Sequence, residues 1–417
     1  MRGLNEAFYL LWDESHLWGV MLARALKQMG IPFRAVRSHE IIEGVLDKKP
    51  PAGLLVPGGW ARLKAESLGR SGMDNIRQYI RSGGRYLGIC GGAGLGLKST
   101  SGWPCLDLCP WERKPFKDRL PNFSGHVLCR VMPGPGSDEE KLYLPVWWPS
   151  QFKPSPGPAQ PVEIMASYLE PGADFWSSDL NLSQVESRDI KKWEDVYGIN
   201  LDPAFLSGEP CIIRGQEGRG EFILSYSHLE TPDSPQANKL LGNILSKWLG
   251  ASAPQGEDWR VPAWDLVNMT PGWDDEVLVW ARQGLDEIIR LGNSQFLLFW
   301  RTPWLLGWRR GIPGSPVNFL YAMVCRAIKD RPDPETIRFW DIEKKDFKAD
   351  LEAFFKELKN YLSHERLAIA TQQSSPEASS DDELQIQKQK LFGSFPGYGG
   401  LYKKLLQRLD RLVFRLI

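Results

Sequence analysis

The sequence has no excess of charge of either sign: 51 Lys and Arg are matched by 51 Asp and Glu. Without a global field there is no electrostatic footprint for nucleic acid, and none is expected as a partner. Cysteine is sparse, with six in 417 residues and only Cys105 and Cys109 close together. That excludes a disulfide framework, and the thiols are read as reduced. Two thiols without a neighbouring Cys/His pair also fall short of a tetrahedral set, so no metal and no cofactor are expected. Long apolar runs are missing as well. The longest, Phe296 to Trp308, is broken by Arg301 and Pro303 and is shorter than the roughly 20 residues a spanning helix needs. The opening MRGLNEAFYLLWDESHLWG lacks the apolar core and small-residue cleavage site of a signal peptide. The expected compartment is the cytoplasm.

What is present is a soluble, globular composition, 42% hydrophobic with 18 Trp, on a chain long enough for two domains. Residues 1–250 alternate short apolar runs with amphipathic stretches, the pattern of a parallel sheet covered by helices. Ala7 to Trp12 reads as a first strand, and HLWGVMLARALKQMG as a helix closed by Gly30. IPFRAVR is a second strand, AGLLVPGG a third that ends in a glycine turn, MDNIRQYIRSGG a helix and RYLGIC a fourth strand. Further strands are expected near 126–132, 162–169, 211–215 and 221–227, with a closing helix from Ser234 to Gly250. The fold class is α/β, a flavodoxin-like parallel-sheet domain followed by a mostly α-helical C-terminal region.

Residues 251–264 have the small, polar, Pro-bearing composition of a linker. Residues 265–370 read as a helical region of unassigned role, 371–385 as a disordered linker and 386–417 as a basic amphipathic helix. In that last segment Tyr402, Leu405, Leu409, Leu412 and Leu416 recur at helical spacing among Lys403, Lys404, Arg408, Arg411 and Arg415. It either packs on the protein or meets a membrane surface or protein partner. FLLFWRTPWLLGWRRG reads as a core helix pair or an interaction patch, and VWWPSQF (Val146 to Phe152) as a loop that walls a cleft or simply packs.

Gly88-Ile89-Cys90-Gly91-Gly92 follows a strand and precedes a segment able to open a helix. A nucleophile elbow requires this: the turned residue is strained, and its neighbours two positions away must be small for strand and helix to approach. A thiol there meets the positive end of a helix. The N–H of Gly91 would face a developing oxyanion, and Gly59, ending another parallel strand at the same edge, could give a second donor. Two rivals remain, a plain Gly-rich turn with a small buried thiol and a phosphate loop, although the G-x-G-x-x-G spacing is not kept. Among only five histidines, His228 ends the strand EFILSYS and is followed at i+2 by Glu230. In extended chain that spacing puts both side chains on one side, so the carboxylate can orient the imidazole. His16, near the end of the first strand, is a pocket candidate or a surface helix cap.

These segments, LLVPGG, RYLGICGGAGLG, MASY and GRGEFILSYSHLE, resemble the class I glutamine-amidotransferase-like superfamily, and within it the biotin-protein-ligase N-terminal-domain group, over about residues 5–250. The resemblance implies a flavodoxin-like sheet and a Cys-His-Glu triad carried by Cys90, His228 and Glu230. Two positions depart from the family pattern. Gly94 stands four residues after the nucleophile, where the glutaminases carry glutamine, and Leu229 stands where a proline is commoner. RGQEGRGEF is too short a likeness to a biotinyl-adenylate loop, so a biotin ligase is not expected. The expectation is an amidotransferase-like cysteine hydrolase or acyl-transfer enzyme acting on a C–N bond of a small-molecule or peptide substrate. Its rival is a non-enzymatic binding or scaffold module on a degenerate amidotransferase fold.

Overall fold

The computed structural model describes residues 6–100, 102, 104–132, 138–155, 161–250, 254, 258–371, 382–394 and 398–417. The chain divides into two compact units, Met1–Ala263 and Trp264–Ile417. Residues 251–253 and 255–257 of the 251–264 segment, and all of 371–385 except Thr371 and 382–385, lie outside the described residues.

In the first unit the strands are β1 (Phe8–Leu11), β2 (Phe33–Val36), β3 (Leu54–Val56), β4 (Arg85–Ile89), β5 (Glu112–Arg113), β6 (Ser124–Val131), β7 (Glu140–Trp147), β8 (Phe152–Lys153), β9 (Glu163–Pro171), β10 (Trp176–Ser177), β11 (Leu180–Asn181), β12 (Pro210–Glu217) and β13 (Gly220–Ser225). The helices are α1 (His16–Gln28), α2 (Ser38–Ile42), α3 (Val45–Lys48), α4 (Ala61–Arg81), α5 (Gly91–Gly96), α6 (Ser187–Tyr197) and α7 (Pro235–Leu249). Five strands run parallel in the order β2-β1-β3-β4-β13, the flavodoxin-like order. Every residue of β1 and β3 is buried, as expected of strands covered by helices on both faces. Their short, wholly apolar runs are what made them legible.

The parallel expectation holds for those five strands and is corrected beyond them. β12, β9 and β6 continue the same sheet antiparallel. The reason is local: β12 and β13 pair directly up to Glu217 and Gly220, around the two residues Gly218 and Arg219, and a two-residue turn can join only antiparallel strands. RGQEGRGEF is thus a hairpin, with Gly218 at φ 62°. β7 was not anticipated, because Pro145 interrupts EKLYLPVW. It pairs with β6 alone, and a sheet edge tolerates proline. The segment read as a loop, Val146 to Phe152, therefore begins inside β7 and ends in β8.

The second unit contains α8 (Glu276–Ser294), β14 (Leu298–Thr302), β15 (Leu305–Trp308), α9 (Gly314–Lys329), α10 (Pro334–Thr371), α11 (Asp382–Phe392) and α12 (Gly400–Leu416). The expected helix pair in FLLFWRTPWLLGWRRG is an antiparallel hairpin instead. Pro303 falls between its strands, where the missing N–H costs no ladder bond. The expected helix over 386–417 is two helices that break after Phe392, and the expected disordered linker is helical at Thr371 and from Asp382 to Gln385. In α12, Tyr402, Leu405, Leu409 and Leu412 are buried, and Leu416 is half-buried. Its basic face meets acids of α10: Arg408 pairs with Glu343 (3.1 Å) and Asp350 (3.3 Å), Arg411 with Glu343 (2.8 Å) and Arg415 with Glu335 (3.5 Å). Because Glu343 serves two arginines and is largely shielded, Glu343→Gln is expected to lower the unfolding free energy of this unit by about 1 kcal/mol. Urea denaturation followed by helical circular dichroism checks it; an unchanged midpoint would show that these pairs are cosmetic. Among the described residues no helix is long and apolar enough to cross a membrane.

Candidate active site

β3, β4 and β13 are parallel neighbours, so the chain leaves all three at one edge of the sheet. Each exit carries a sequence-predicted residue. Cys90 follows β4 directly and is held at φ 49°, ψ −100°, a strained conformation for a side-chain-bearing residue. Its N–H donates to Ser225 O at 2.7 Å, and its carbonyl accepts from Gly94 N at 2.9 Å. The turn is thereby pinned on both sides, to β13 and to α5.

The glycines around it are required by close approach. A Cβ on Gly88 would lie 2.4 Å from Gly92 O, and one on Gly92 would lie 2.0 Å from Val56 O. On Gly91 a Cβ would lie 1.9 Å from Gly59 O. The structure thus brings Gly59 and Gly91 into contact, with Gly59 itself at φ 112°. The turn after β3 also touches the imidazole: a Cβ on Gly58 would stand 2.9 Å from His228 Cε1.

His228 and Glu230 are both fully buried, and His228 Nδ1 lies 2.8 Å from Glu230 Oε1. Burial alone pushes the imidazole's pKa down, but the Glu230 carboxylate and then the Cys90 sulfur outweigh it, so the ring is raised from 6.5 to about 10. Cys90 is therefore close enough to stabilise the imidazolium, although Nε2 makes no hydrogen bond of strict geometry. Gly94 leaves ordinary contact room, with Ala61 Cβ 3.4 Å from where its Cβ would be.

Sequence reasoning missed the groups that hold this set in place. Trp18, on α1, packs on the His228 ring with centroids 4.4 Å apart. The N–H of His228 donates to Pro145 O at 2.8 Å. Trp147 Nε1 donates to Thr231 Oγ1 at 3.0 Å, and that hydroxyl donates to His228 O at 2.8 Å. The unforeseen strand β7 is thus what clamps the imidazole loop. Beneath the Gly59 turn, Lys64 is fully buried with its Nζ donating to Asp13 O at 3.1 Å and to Ser15 Oγ. Apart from the local Thr231–His228 bond, these contacts leave no sequence signal, because they join segments far apart in the chain.

The other candidates engage other partners. His16 opens α1 beside Glu14, with Nε2 3.5 Å from its carboxylate. His126 is held between Asp174 (2.8 Å) and Ser234 (2.9 Å), tying β6 to the start of α7. Burial pushes the thiols of Cys105 and Cys109 up to about 11 and about 12, which disfavours the thiolate a metal would need. Among the described residues no group of three or more His, Cys, Asp or Glu could hold a metal ion. A cleft of about 760 Å³ lined by Gly83, Arg85, Glu163, Arg214 and Lys247 opens at the opposite edge, where β4 and β13 begin.

The elbow lies in the stretch of sequence that comparison with known families recognises. Residues 35–101 match the family described as "Biotin-protein ligase, N terminal". That match spans β2 to just beyond α5 and contains Gly59, Gly88, Cys90, Gly91 and Gly92, but not His228 or Glu230. The first unit is an α/β domain and the second is mostly helical. Solved structures similar to the chain include PurLQS from Thermotoga maritima (15% identity, 59% of this chain and 96% of that one covered, TM-score 0.34). Two others are a putative GMP synthase protein from Thermoplasma acidophilum (14%, 59% and 96%, TM-score 0.36) and a putative ThuA-like protein from Bacteroides uniformis (13%, 62% and 97%, TM-score 0.36). No curated protein matches the sequence.

Proposed function

We propose that the first unit is a cysteine-nucleophile hydrolase or acyl-transfer enzyme that cleaves a C–N bond of an amide substrate. The observation that carries this is the convergence at one sheet edge of a strained Cys90, a buried His228–Glu230 pair and the facing Gly59 and Gly91 turns. Cys90 Sγ attacks the amide carbonyl carbon, and the negative charge gathers on the carbonyl oxygen, towards the N–H groups of Gly91 and Gly59. The imidazolium of His228 gives its proton to the departing nitrogen as the C–N bond breaks, leaving a thioester on Cys90. The neutral ring then takes a proton from water or an acceptor amine, which attacks the thioester and frees the thiol. Glu230 holds the ring orientation throughout. Gly94 in place of glutamine supports a substrate other than glutamine. All six cysteines are free thiols, which supports a reducing compartment, the cytoplasm.

The test is incubation with a panel of primary and secondary amides, reading amine release together with the mass of the peptide that contains Cys90. Amine release, with an acyl adduct on that peptide at early times, is the expected result. A thiol that carries no adduct and alkylates as sluggishly as an ordinary cysteine would support the binding-module reading instead.

A further inference from the structure

Beside the nucleophile stands a group of basic and neutral donors that the proposed chemistry does not use. Cys90 N–H bonds to Ser225 O, so the next residue, Tyr226, borders the thiol. Its ring packs on Phe152, centroids 4.3 Å apart. Phe152 begins β8, whose partner β5 places Arg113 opposite it. Two guanidiniums converge on one hydroxyl just before β8: Arg113 Nε donates to Ser150 Oγ at 2.9 Å and Arg119 Nη1 to the same oxygen at 2.8 Å.

Neither arginine has a carboxylate partner among the described residues. The acids at hand are engaged elsewhere, Glu112 by Lys98 (3.9 Å) and Lys153 (3.5 Å), and Glu209 by Lys114 (2.7 Å). Buried donors around them also stand unpartnered. Tyr168 Oη, Gln151 Nε2 and Arg119 Nε are shielded from solvent and bond to no protein group, and Tyr226 Oη reaches only the Ser150 hydroxyl that the two arginines already share. Gln151 is fully buried, and its carbonyl oxygen is fixed by Leu120 N at 2.8 Å, which directs the amide nitrogen away from that contact. Buried polar groups are ordinarily satisfied, and two adjacent cations without an acid repel one another. An anion with several acceptor oxygens would answer both conditions, since guanidinium forks match such groups bidentately.

We propose that Arg119 and Arg113, with Tyr226 and Gln151, bind an anionic group of the substrate, a carboxylate or a phosphate, beside Cys90. This rests on Cys90 being the nucleophile, and it makes the substrate an amide with a negatively charged acyl part.

The experiment compares alkylation of Cys90 in the full chain by iodoacetate and by iodoacetamide, which differ in charge and little in size. The ratio of the two rates is divided by the same ratio for free cysteine. In the wild type the quotient is expected to be about tenfold above one, the worth of one charge-assisted contact. In Arg119→Gln it is expected to return towards one. Arg113→Gln, at an exposed side chain, gives the same comparison if Arg119→Gln does not fold. A wild-type quotient near one, with Cys90 readily labelled, overturns the anion site and leaves the nucleophile standing. If neither reagent labels Cys90, the nucleophile reading fails, and the anion site is judged by thermal unfolding with glutarate or inorganic phosphate. A rise in Tm that Arg119→Gln abolishes sustains the site, and the more effective ion tells carboxylate from phosphate. No rise with either ion overturns it.

Discussion

Replacing His228 with alanine lowers the rate at which Cys90 is alkylated by iodoacetamide at pH 7 by a factor of about 10² to 10⁴, the usual worth of a positioned acid–base group. Replacing Cys90 with alanine abolishes labelling at that site and any amide turnover, while leaving the far-ultraviolet circular dichroism unchanged. The argument is electrostatic. The imidazole, raised to about 10 by Glu230 and by the sulfur itself, is an imidazolium at pH 7. An imidazolium beside the sulfur stabilises the negative charge carried by the attacking atom and returns a proton to the leaving group. The alanine at 228 removes the cation and the proton carrier together. Labelling of Cys90 at an unchanged rate in His228→Ala would sink the assignment of the base.

The second large effect concerns Glu230. Its carboxylate is fully buried and its one hydrogen bond among the described residues is to the equally buried His228 Nδ1. Glu230→Ala is expected to cost about 3–5 kcal/mol of stability, because it leaves a buried charge without its partner. The wild type should also show the linkage. The imidazole has its ordinary value of 6.5 when unfolded and about 10 in the fold, so the fold binds the proton more tightly. That contribution is fully present below about pH 6.5 and is lost as pH rises through about 10. Denaturant melts at intervals between pH 6 and 10 should therefore show stability falling across that window, with a shallower fall in Glu230→Gln. An identical slope in the two proteins would show that the pair is not what holds the proton.

Much of the candidate site was legible because its motifs are local. An elbow needs small residues at fixed offsets from the nucleophile, and Gly88 and Gly92 are there. The i+2 spacing of His228 and Glu230 follows from extended geometry, and the structure brings the two side chains together as that spacing implies. The expectation that both lie at one edge needed only parallel strands with apolar runs. By contrast, Pro145 hid β7 from any pattern reading. With it went the clamp on the imidazole loop formed by Pro145 O, Trp147 and Thr231. The helix pair expected over Phe296 to Gly311 failed because a short apolar run fits a buried helix or a hairpin strand equally well, and Pro303 with its neighbours decided for the hairpin.

The sequence by itself marked Cys90, His228 and Glu230 as candidates and β1, β3 and β4 as strands, since each of these readings rests on residues within a few positions of one another. Only the tertiary structure decided that the sheet continues antiparallel and that Trp18 stacks on the imidazole. It alone decided that Arg113 and Arg119 meet at Ser150 without an acid among the described residues. Those contacts join residues 30 to more than 200 positions apart. No periodicity encodes them, and they exist only because burial of the intervening strands brings the segments together.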